Sequence, residues 1–420
     1  MGTSGISNTI SDGSPTIDVE KPCNLEAVSH LLDEVVAASD TLMTGNMDVR
    51  HELLIKLRAL TSAIETPRET VMRHCWTMTS SIGCLAFGVD SGLWEAMTKN
   101  GNVPQKVDEL ATQIGVDAVL LGRIMRHLSA MGHIIETGPD EYQPTVFSMS
   151  LSIPMMGNGL IGLTCTTGGA SLKFHEYSRK RGWQNPIDAK DTALMYAYNT
   201  DHDMFSWVQS QGYGAHFNDH MTGYHPSPWM STGRYPIEQQ LIDGADKSPA
   251  APFWVDIGGC LGRDLRDLHL HYPDIPGQLI LQDLPGVISE VNKTHPPFLT
   301  MEHNFFTKQP IKGSRAYYMH SILHDWPDDV CQEILAHIIS AMKPGYSKIL
   351  IHEQIIPTTN ASWETTARDI MMMTMFCAQE RSEADWRGLL EGKAGLNIIK
   401  IWNLDLPDEY LIECEMPVAK

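Results

Sequence analysis

The segment Phe253-Trp-Val-Asp-Ile-Gly-Gly-Cys-Leu-Gly262 constrains the fold more than any other part of the chain. Its apolar and aromatic start predicts a buried strand, and its three glycines predict a tight turn. The segment 263–271 that follows has the spacing of a helix whose positive amino end faces the turn. A strand, a turn and a helix in this order predict a site where the backbone closely approaches a ligand.

A second acidic residue follows the next predicted strand. Residues 279–282 form an apolar run that ends at Asp283. In a nucleotide-binding βαβ unit, an acid at this position can accept hydrogen bonds from ribose hydroxyls. The order Asp-x-Gly-Gly-x-x-Gly differs from the dinucleotide pattern and favours an adenosyl group without a pyrophosphate. The alternative is a purely structural turn that binds no ligand.

Strands and helices alternate along the carboxyl-terminal part of the chain. This alternation predicts an α/β fold with a mostly parallel sheet, helices on both faces, and ligands beyond the carboxyl ends of the strands. The apolar runs predict strands at 253–257, 279–282, 299–302, 315–320, 348–353, 397–403 and 408–415, and helices at 263–271, 285–292, 328–343, 363–377 and 383–392.

The amino-terminal part has a different composition. Residues 1–23 are rich in Ser, Thr, Gly and Pro and predict a disordered tail, and residues 24–150 then show helical spacing. Between Thr70 and Met97 the pattern is apolar on nearly every side, so we expect a second subunit to cover it in a homodimer. Residues 151–250 predict connecting helices that line a substrate pocket, and residues 251–420 form the α/β domain.

Residues 107–147 have the helix, turn, helix and hairpin order of a winged helix. Such a unit binds DNA in many proteins and packs against protein in others. The formal net charge of −20 disfavours nucleic acid as a partner, so we favour a wing that packs against protein.

The eight cysteines form no C-x-x-C pair, which is typical of reduced thiols in the cytoplasm. The chain shows no signal peptide, no membrane span and no cluster with metal-ligand spacing. We therefore expect a cytoplasmic protein with no metal and no membrane partner.

A histidine with two downstream glutamates forms a second constellation. His324 follows the predicted strand 315–320, on the side of the sheet where the glycine turn lies. Imidazole can accept a proton near neutral pH, and a carboxylate on its other nitrogen makes it an efficient base by fixing its tautomer. Glu353, at the end of a strand, and Glu380, after a methionine-rich helix, are both candidates for that role. A structural histidine is the alternative for His324, and a solvated loop charge is the alternative for Glu380 taken alone.

These residues resemble the metal-independent, S-adenosyl-methionine-dependent O-methyltransferases of plants and fungi that act on small molecules. The resemblance extends over about residues 68–418 and is closer to the fungal secondary-metabolite branch. It is carried by the glycine turn and by Gln282-Asp-Leu-Pro-Gly-Val-Ile288, Tyr318-Met-His-Ser-Ile-Leu-His-Asp-Trp326, Glu353-Gln-Ile-Ile-Pro357 and Gln379-Glu-Arg-Ser382. It implies a Rossmann-like domain that binds S-adenosyl-methionine, preceded by a helical, winged-helix dimerisation domain.

The resemblance also implies a role for each matched residue. His324 would be the general base, and Glu353 and Glu380 would orient it. The cofactor would contact Asp256, Gly258, Gly259, Asp283, Leu284, Asn304, Phe305, His320 and Asp325, and the substrate would contact Met221, Trp326, Met372 and Met375. Three positions depart from the family pattern, because Cys260 replaces a glycine, Asn304 replaces an acid and His320 replaces a lysine.

The resemblance predicts methyl transfer to a phenolic or enolic hydroxyl of an aromatic or polyketide-type metabolite. Some proteins that resemble this family bind the cofactor yet act as pericyclases, which rearrange substrate rings without methyl transfer. Pericyclases of this type usually alter the base histidine, so the presence of His324 favours transfer. A metabolite-binding winged-helix regulator is a third possibility, which the lack of a basic patch disfavours.

Overall fold

A computed structural model describes residues 17–47, 49–224, 230, 233–406 and 408–417. The chain divides into two compact units, one that ends at Ser148 and one that begins at Met149. Most of the predicted tail lies outside the described residues, as do Trp229 and the side chain of Tyr224. None of the described helices is both long enough and apolar enough to span a lipid bilayer.

The first unit is mainly helical. Its predicted helix, helix and hairpin between residues 107 and 147 are present, while the winged-helix interpretation stays a prediction. The elements are α1 (Val28–Met43), α2 (Val49–Ile64), α3 (Pro67–Met72), α4 (Thr79–Asp90), α5 (Leu93–Asn100), β1 (Gln105–Lys106), α6 (Val107–Ile114), α7 (Ala118–Ala130), β2 (Ile134–Gly138) and β3 (Glu141–Pro144), and α8 (Val146–Ser150) spans the boundary.

The apolar run between Thr70 and Met97 is not one helix. A π-helical turn at Arg73–Met78 separates α3 from α4, and Gly92 separates α4 from α5. Gly92 has φ +74°, a left-handed conformation that suits glycine and ends the helical path. Helical periodicity continues across this point in the sequence because both helices bury one apolar face.

The second unit begins with helices and continues as an α/β domain. Its first helices are α9 (Pro154–Leu163), α10 (Gly169–Lys180), α11 (Ala193–Tyr198), α12 (Met204–Ser210) and α13 (Gly214–Tyr224). The remaining elements are β4 (Pro252–Ile257), α14 (Arg263–His271), β5 (Gln278–Asp283), α15 (Pro285–Asn292), β6 (Leu299–Glu302), β7 (Ala316–His320), α16 (Asp328–Ile339), β8 (Lys348–Gln354), α17 (Trp363–Phe376), α18 (Glu383–Arg387), β9 (Asn397–Leu406) and β10 (Glu409–Glu415).

All seven predicted strands are present in one sheet with the order β6-β5-β4-β7-β8-β10-β9. The first five strands in this order are parallel, and β10 and β9 are antiparallel to their neighbours. The strand β5 lies on one side of β4, and β7, which comes later in the chain, lies on its other side. This reversal leaves a crevice at the carboxyl end of β4, where ligands bind in open α/β sheets.

Two apolar layers cover the sheet. One includes Val255 and Tyr317 with residues of α16, and the other includes Trp254 and Tyr318 with residues of α14. Neighbouring residues of one strand therefore point into opposite layers, as expected for a strand buried on both faces. The predicted α/β fold with a mostly parallel sheet is confirmed.

Candidate active site

Polar residues lie at the carboxyl ends of four adjacent parallel strands. Asp283 ends β5, His320 ends β7, and Asp256 and Glu353 lie one position before the ends of β4 and β8. The register pairs His320 with His352 and Asp256 with Tyr318 across neighbouring strands. The parallel arrangement therefore brings these side chains to a common edge of the sheet.

The glycine turn adopts left-handed backbone at three positions. Gly258, Cys260 and Gly262 have φ of +70°, +51° and +72°. A β-carbon on Gly262 would lie 2.5 Å from Cζ of Phe298, so only glycine fits this position without a shift. The backbone N–H of Cys260 donates to Oδ2 of Asp283 over 2.8 Å. This hydrogen bond joins the turn to the end of β5.

Two carboxylates beside the turn have raised pKa values. Burial and the nearby charges of Asp264 and Asp283 raise the pKa of Asp256 well above its usual range. Both of its carboxylate oxygens are buried without a hydrogen-bond partner among the described residues. Burial also raises the pKa of Asp283 to about 6, against the opposing effect of its backbone hydrogen bonds to Leu284 and Cys260.

The chemistry of this edge fits a cationic adenosyl ligand. Asp283 keeps acceptor capacity for hydroxyl donors, since each of its oxygens accepts only one backbone hydrogen bond here. Asp283, whose pKa is raised only to about 6, is ionised at neutral pH, so it favours positive charge and would repel a pyrophosphate. S-adenosyl-methionine, with its sulfonium and ammonium groups, meets both conditions.

His324 lies in a short 3₁₀ turn, Leu323–Asp325, just beyond β7. Its side chain is buried, and its Nδ1 is 2.9 Å from Oε1 of Glu380. Its Nε2 is 3.5 Å from Oδ1 of Asp325. The alternative that Glu380 taken alone is a solvated loop charge does not hold, because Glu380 is only 4 % exposed and its Oε1 contacts the imidazole.

Glu353 contacts the loop more closely than it contacts the imidazole. Its Oε1 accepts hydrogen bonds from the backbone N–H groups of Ile322, Leu323 and His324, at 3.0, 2.8 and 3.4 Å. Its Oε2 is 3.9 Å from Nδ1 of His324. The sequence left both glutamates as candidates for the acid on the ring. In this geometry Glu380 contacts the ring, and Glu353 holds the backbone of the loop that carries His324.

The acids around His324 make the ring strongly basic. Burial alone would lower the pKa of His324, but the charges of Glu353, Glu380 and Asp325 raise it to about 10. Burial raises the pKa of Asp325 to about 7, although the imidazolium beside it acts in the opposite direction. The charges of His324 and Asp325 therefore oppose each other's pKa shift that burial alone would cause.

Two buried arginines complete the surroundings of His324, and the sequence patterns did not single out either of them. Arg381 donates to the carbonyl oxygens of Leu323 and Trp326, each over 2.8 Å, and clamps the loop that carries His324. Arg368 pairs with Glu380 over 2.7 Å. The sequence features that could have identified them are the position of Arg381 next to Glu380 and the position of Arg368 in a methionine-rich helix.

His320 belongs to a buried network on the α14 side of the sheet. Its Nδ1 is 2.6 Å from Oδ2 of Asp264, and its ring stacks on that of His352 with centroids 3.7 Å apart. The hydroxyl of Tyr318 donates to Asp264 and also contacts Nδ1 of His352. These three residues, Asp264, His320 and His352, could in principle hold a metal ion. Stacked rings, however, direct their nitrogen lone pairs side by side rather than to one point, so the arrangement fits a hydrogen-bonded network better.

The other predicted cofactor residues differ in their exposure to solvent. Phe305 approaches the turn, since a β-carbon on Gly258 would lie 3.8 Å from its ring. Asn304 is exposed and accepts a hydrogen bond from the backbone N–H of Phe306, while Leu284 is 52 % exposed. Trp326 packs edge-on against Phe305 and Phe306.

The predicted substrate residues fall into separate groups. Met372 and Met375 are buried on α17, in one apolar cluster with Trp207, Phe205 and Phe376. Met221 is partly buried on α13 and is not a member of that cluster as described. The structure thus brings His324 together with Glu353, Glu380 and Asp325, and it brings Asp283 to the glycine turn.

Comparison with known proteins supplies independent information. Residues 237–397 match the model of the O-methyltransferase domain. The O-methyltransferase mfmE of Annulohypoxylon moriforme is 34 % identical over 89 % of this chain and 92 % of its own. The demethylsterigmatocystin 6-O-methyltransferase of Aspergillus parasiticus is 33 % identical over 77 % of this chain and 82 % of its own.

Three solved structures are similar to this chain over most of its length. A structure described as a pericyclic reaction enzyme is 30 % identical, with a TM-score of 0.83 over 91 % of this chain and all of its own. LepI in complex with SAM is 30 % identical, with a TM-score of 0.82 over 92 % of this chain and all of its own. OxaC in complex with SAH and oxaline is 26 % identical, with a TM-score of 0.84 over 93 % of this chain and 99 % of its own.

Proposed function

The chain belongs to the S-adenosyl-methionine-dependent O-methyltransferases, and we propose that it methylates a phenolic or enolic hydroxyl of an aromatic or polyketide-type metabolite. It is an O-methyltransferase of the branch that acts on fungal secondary metabolites. S-adenosyl-methionine is its cofactor, which supplies an electrophilic methyl group on a positively charged sulfur.

We propose that Asp256, Gly258, Gly259 and Asp283 hold the cofactor, with Asp283 accepting the ribose hydroxyls. Leu284, Asn304, Phe305, His320 and Asp325 complete this proposed set. The orphaned carboxylate of Asp256 and the raised pKa of Asp283 support an edge of the sheet that favours a cation.

The observation that carries the proposal is the buried contact between His324 and Glu380. A phenol has a pKa of about 10, so a base must remove its proton as the oxygen attacks. The bond from Glu380 to Nδ1 leaves Nε2 of His324 as the nitrogen that accepts this proton. Glu353 keeps the loop in place through three backbone N–H groups.

His324 must lose its proton before it can act as a base. A pKa of about 10 keeps the ring protonated at neutral pH when only the protein's charges surround it. A permanent cation beside the ring favours the neutral imidazole, because like charges repel. Binding of the cofactor cation would therefore prepare the base as well as deliver the methyl group.

Met372 and Met375 are proposed to form an adaptable apolar wall for the substrate, together with Met221 and Trp326. Methionine side chains adapt to flat ligands of different outline. The aromatic residues that pack with the α17 methionines would complete a surface for an aromatic ring.

A pericyclase is the second candidate function, because the solved structure described as a pericyclic reaction enzyme is 30 % identical over nearly the whole chain. Such an enzyme would bind the same cofactor and change the substrate's rings without methyl transfer. The complete set of His324, Glu353 and Glu380 favours transfer.

The test uses cofactor labelled in its methyl group, offered with a panel of phenolic metabolites. We expect labelled ether product, and we expect His324→Ala to lower the rate about 10²–10⁴-fold, as for loss of a general base. His271→Ala, which changes an exposed histidine, serves as the control. Unlabelled isomerised product would favour the pericyclase, and full turnover by His324→Ala would contradict the proposed base.

We further propose that the protein is a cytoplasmic homodimer that associates through its amino-terminal helices. None of the eight cysteines forms a disulfide, which is consistent with a reducing compartment. Several large apolar side chains of α4 and the preceding π-helical turn are exposed in the single chain.

A further inference from the structure

Arg368 is buried on α17 although its guanidinium is permanently charged. Its Nε lies 2.7 Å from Oε1 of Glu380, the same oxygen that contacts Nδ1 of His324 at 2.9 Å. A buried charge is costly unless an opposite charge pairs with it. The pair with Glu380 compensates this charge and places a second cation behind the acid that holds the imidazole.

The helix α17 anchors Glu380 in two ways. Arg368 binds its side chain, and Oδ1 of the adjacent Asp369 accepts a hydrogen bond from its backbone N–H over 3.0 Å. Two successive residues of one helix therefore fix both the backbone and the carboxylate of Glu380. The carboxylate can then reach Nδ1 of His324 in only a narrow range of positions.

The acids that face His324 come from three elements. Glu353 approaches it from β8, Glu380 from the loop after α17, and Asp325 from its own turn. Arg368 contributes the opposing charge, within about 6 Å of the ring because both groups contact one oxygen. It therefore opposes protonation of the imidazole, whereas the three acids promote it.

From this geometry we propose that Arg368 is a positioning residue for the base, fixing Glu380 against Nδ1 of His324 and limiting the basicity of the ring. The proposal rests on the proposed role of His324 in methyl transfer. Arg381 acts separately, since its contacts are to the carbonyl oxygens of Leu323 and Trp326 and to Asp328.

The expected size of the effect follows from Coulomb's law. Two unit charges about 6 Å apart, at an effective dielectric constant of about 20, shift each other's pKa by about one to two units. Without Arg368 the imidazole should therefore bind its proton about 10- to 100-fold more tightly. At a fixed pH on the acidic limb, methyl transfer should slow by a similar factor.

The experiment compares Arg368→Gln, which keeps a hydrogen-bond donor but removes the charge, with Arg368→Lys, which keeps the charge. Arg315→Gln is the matched control, because Arg315 is similarly buried and binds backbone carbonyls remote in sequence from the base. Full-length protein with ¹³C-labelled histidine is titrated by NMR from about pH 7 to about pH 12, so that a midpoint raised above the wild-type value of about 10 stays within range. The His324 signal is assigned from its absence in His324→Asn.

We expect the pKa of His324 to rise by about one to two units in Arg368→Gln and to return towards the wild-type value in Arg368→Lys. The acidic limb of the kcat profile should move in the same direction. No shift in Arg368→Gln, a fall, or an equal shift in Arg315→Gln would overturn the proposal. The expected shift in a protein that transfers no methyl group would support the role of Arg368 but refute methyl transfer, so the two failures are distinguishable.

Discussion

At the scale of single residues, burial determines how Asp283 titrates. Asp283 is mostly buried and its pKa is raised to about 6, so it changes charge within an accessible pH range. Its oxygens already accept hydrogen bonds from the backbone N–H groups of Leu284 and Cys260. Only the ionised carboxylate keeps full acceptor capacity for further hydroxyl donors.

We therefore predict that affinity for SAH is pH-dependent. A raised pKa means that the carboxylate is ionised above about pH 6 and protonated below it, so affinity should be full near neutral pH. It should fall as pH decreases through 6, by up to about 10-fold per unit. Isothermal titration calorimetry at several pH values measures this.

Asp283→Asn is the control for this prediction, since it cannot titrate. It should bind SAH more weakly than the wild type, and its affinity should change little over the same range. If the wild-type affinity is also constant from neutral pH to about pH 5, Asp283 does not bind the ligand through its charge.

At the scale of elements, the turn between β4 and α14 has one residue that does not suit its conformation. Cys260 adopts φ +51°, a left-handed conformation that is unfavourable for residues with a β-carbon. Gly262 adopts a similar conformation, and a β-carbon there would clash with Phe298. The turn therefore tolerates strain at one position and excludes a side chain at the other.

We predict opposite effects of two substitutions in this turn. Cys260→Gly should stabilise the protein by about 0.5–1 kcal/mol, since relief of strain exceeds the added freedom of the unfolded chain. Gly262→Ala should destabilise it by about 2 kcal/mol or more, because strain and a clash add together. Urea unfolding followed by tryptophan fluorescence measures both changes. An equal loss of stability in the two variants would contradict this account of the turn.

At the scale of the whole molecule, exposed apolar side chains of the amino-terminal unit support the proposed homodimer. Trp76 is 63 % exposed, and Met78 and Ile82 are each 45 % exposed. They lie in the π-helical turn and in α4, on the run whose sequence predicted a covered surface. A cluster of exposed large apolar residues commonly marks a protein interface.

We predict that the full chain sediments as a dimer of about twice the 46.8 kDa chain mass. Ile82→Glu should weaken association at least about 10-fold, because a buried unpaired charge is costly. Val119→Glu, at a 73 % exposed position on α7, is the control and should leave the dimer intact. A monomeric wild-type protein at micromolar concentration would contradict the homodimer.

Much of the α/β domain could be predicted from the sequence. Its parallel strands are short apolar runs bounded by glycine, proline or polar residues, so their bounds came within a few residues of the observed ones. The carboxyl ends of parallel strands meet at one edge, so the approach of Asp256, Asp283 and His324 to that edge followed from strand order. The roles of these residues stay predictions.

The pattern of residues left open which acid contacts the ring of His324, although the family resemblance implied both Glu353 and Glu380. Glu380 follows a helix and reads as a loop residue, but the packing of α17 against the loop after β7 buries it beside the ring of His324. Arg368 stands out in the sequence only as a charge in a methionine-rich helix, and nothing local identifies its partner, which lies 12 positions away in the chain. The local pattern of side chains determines strands, turns and helices, since these depend on near neighbours. The charge pairing around the base depends on distances between separate elements, and only the tertiary structure decides those.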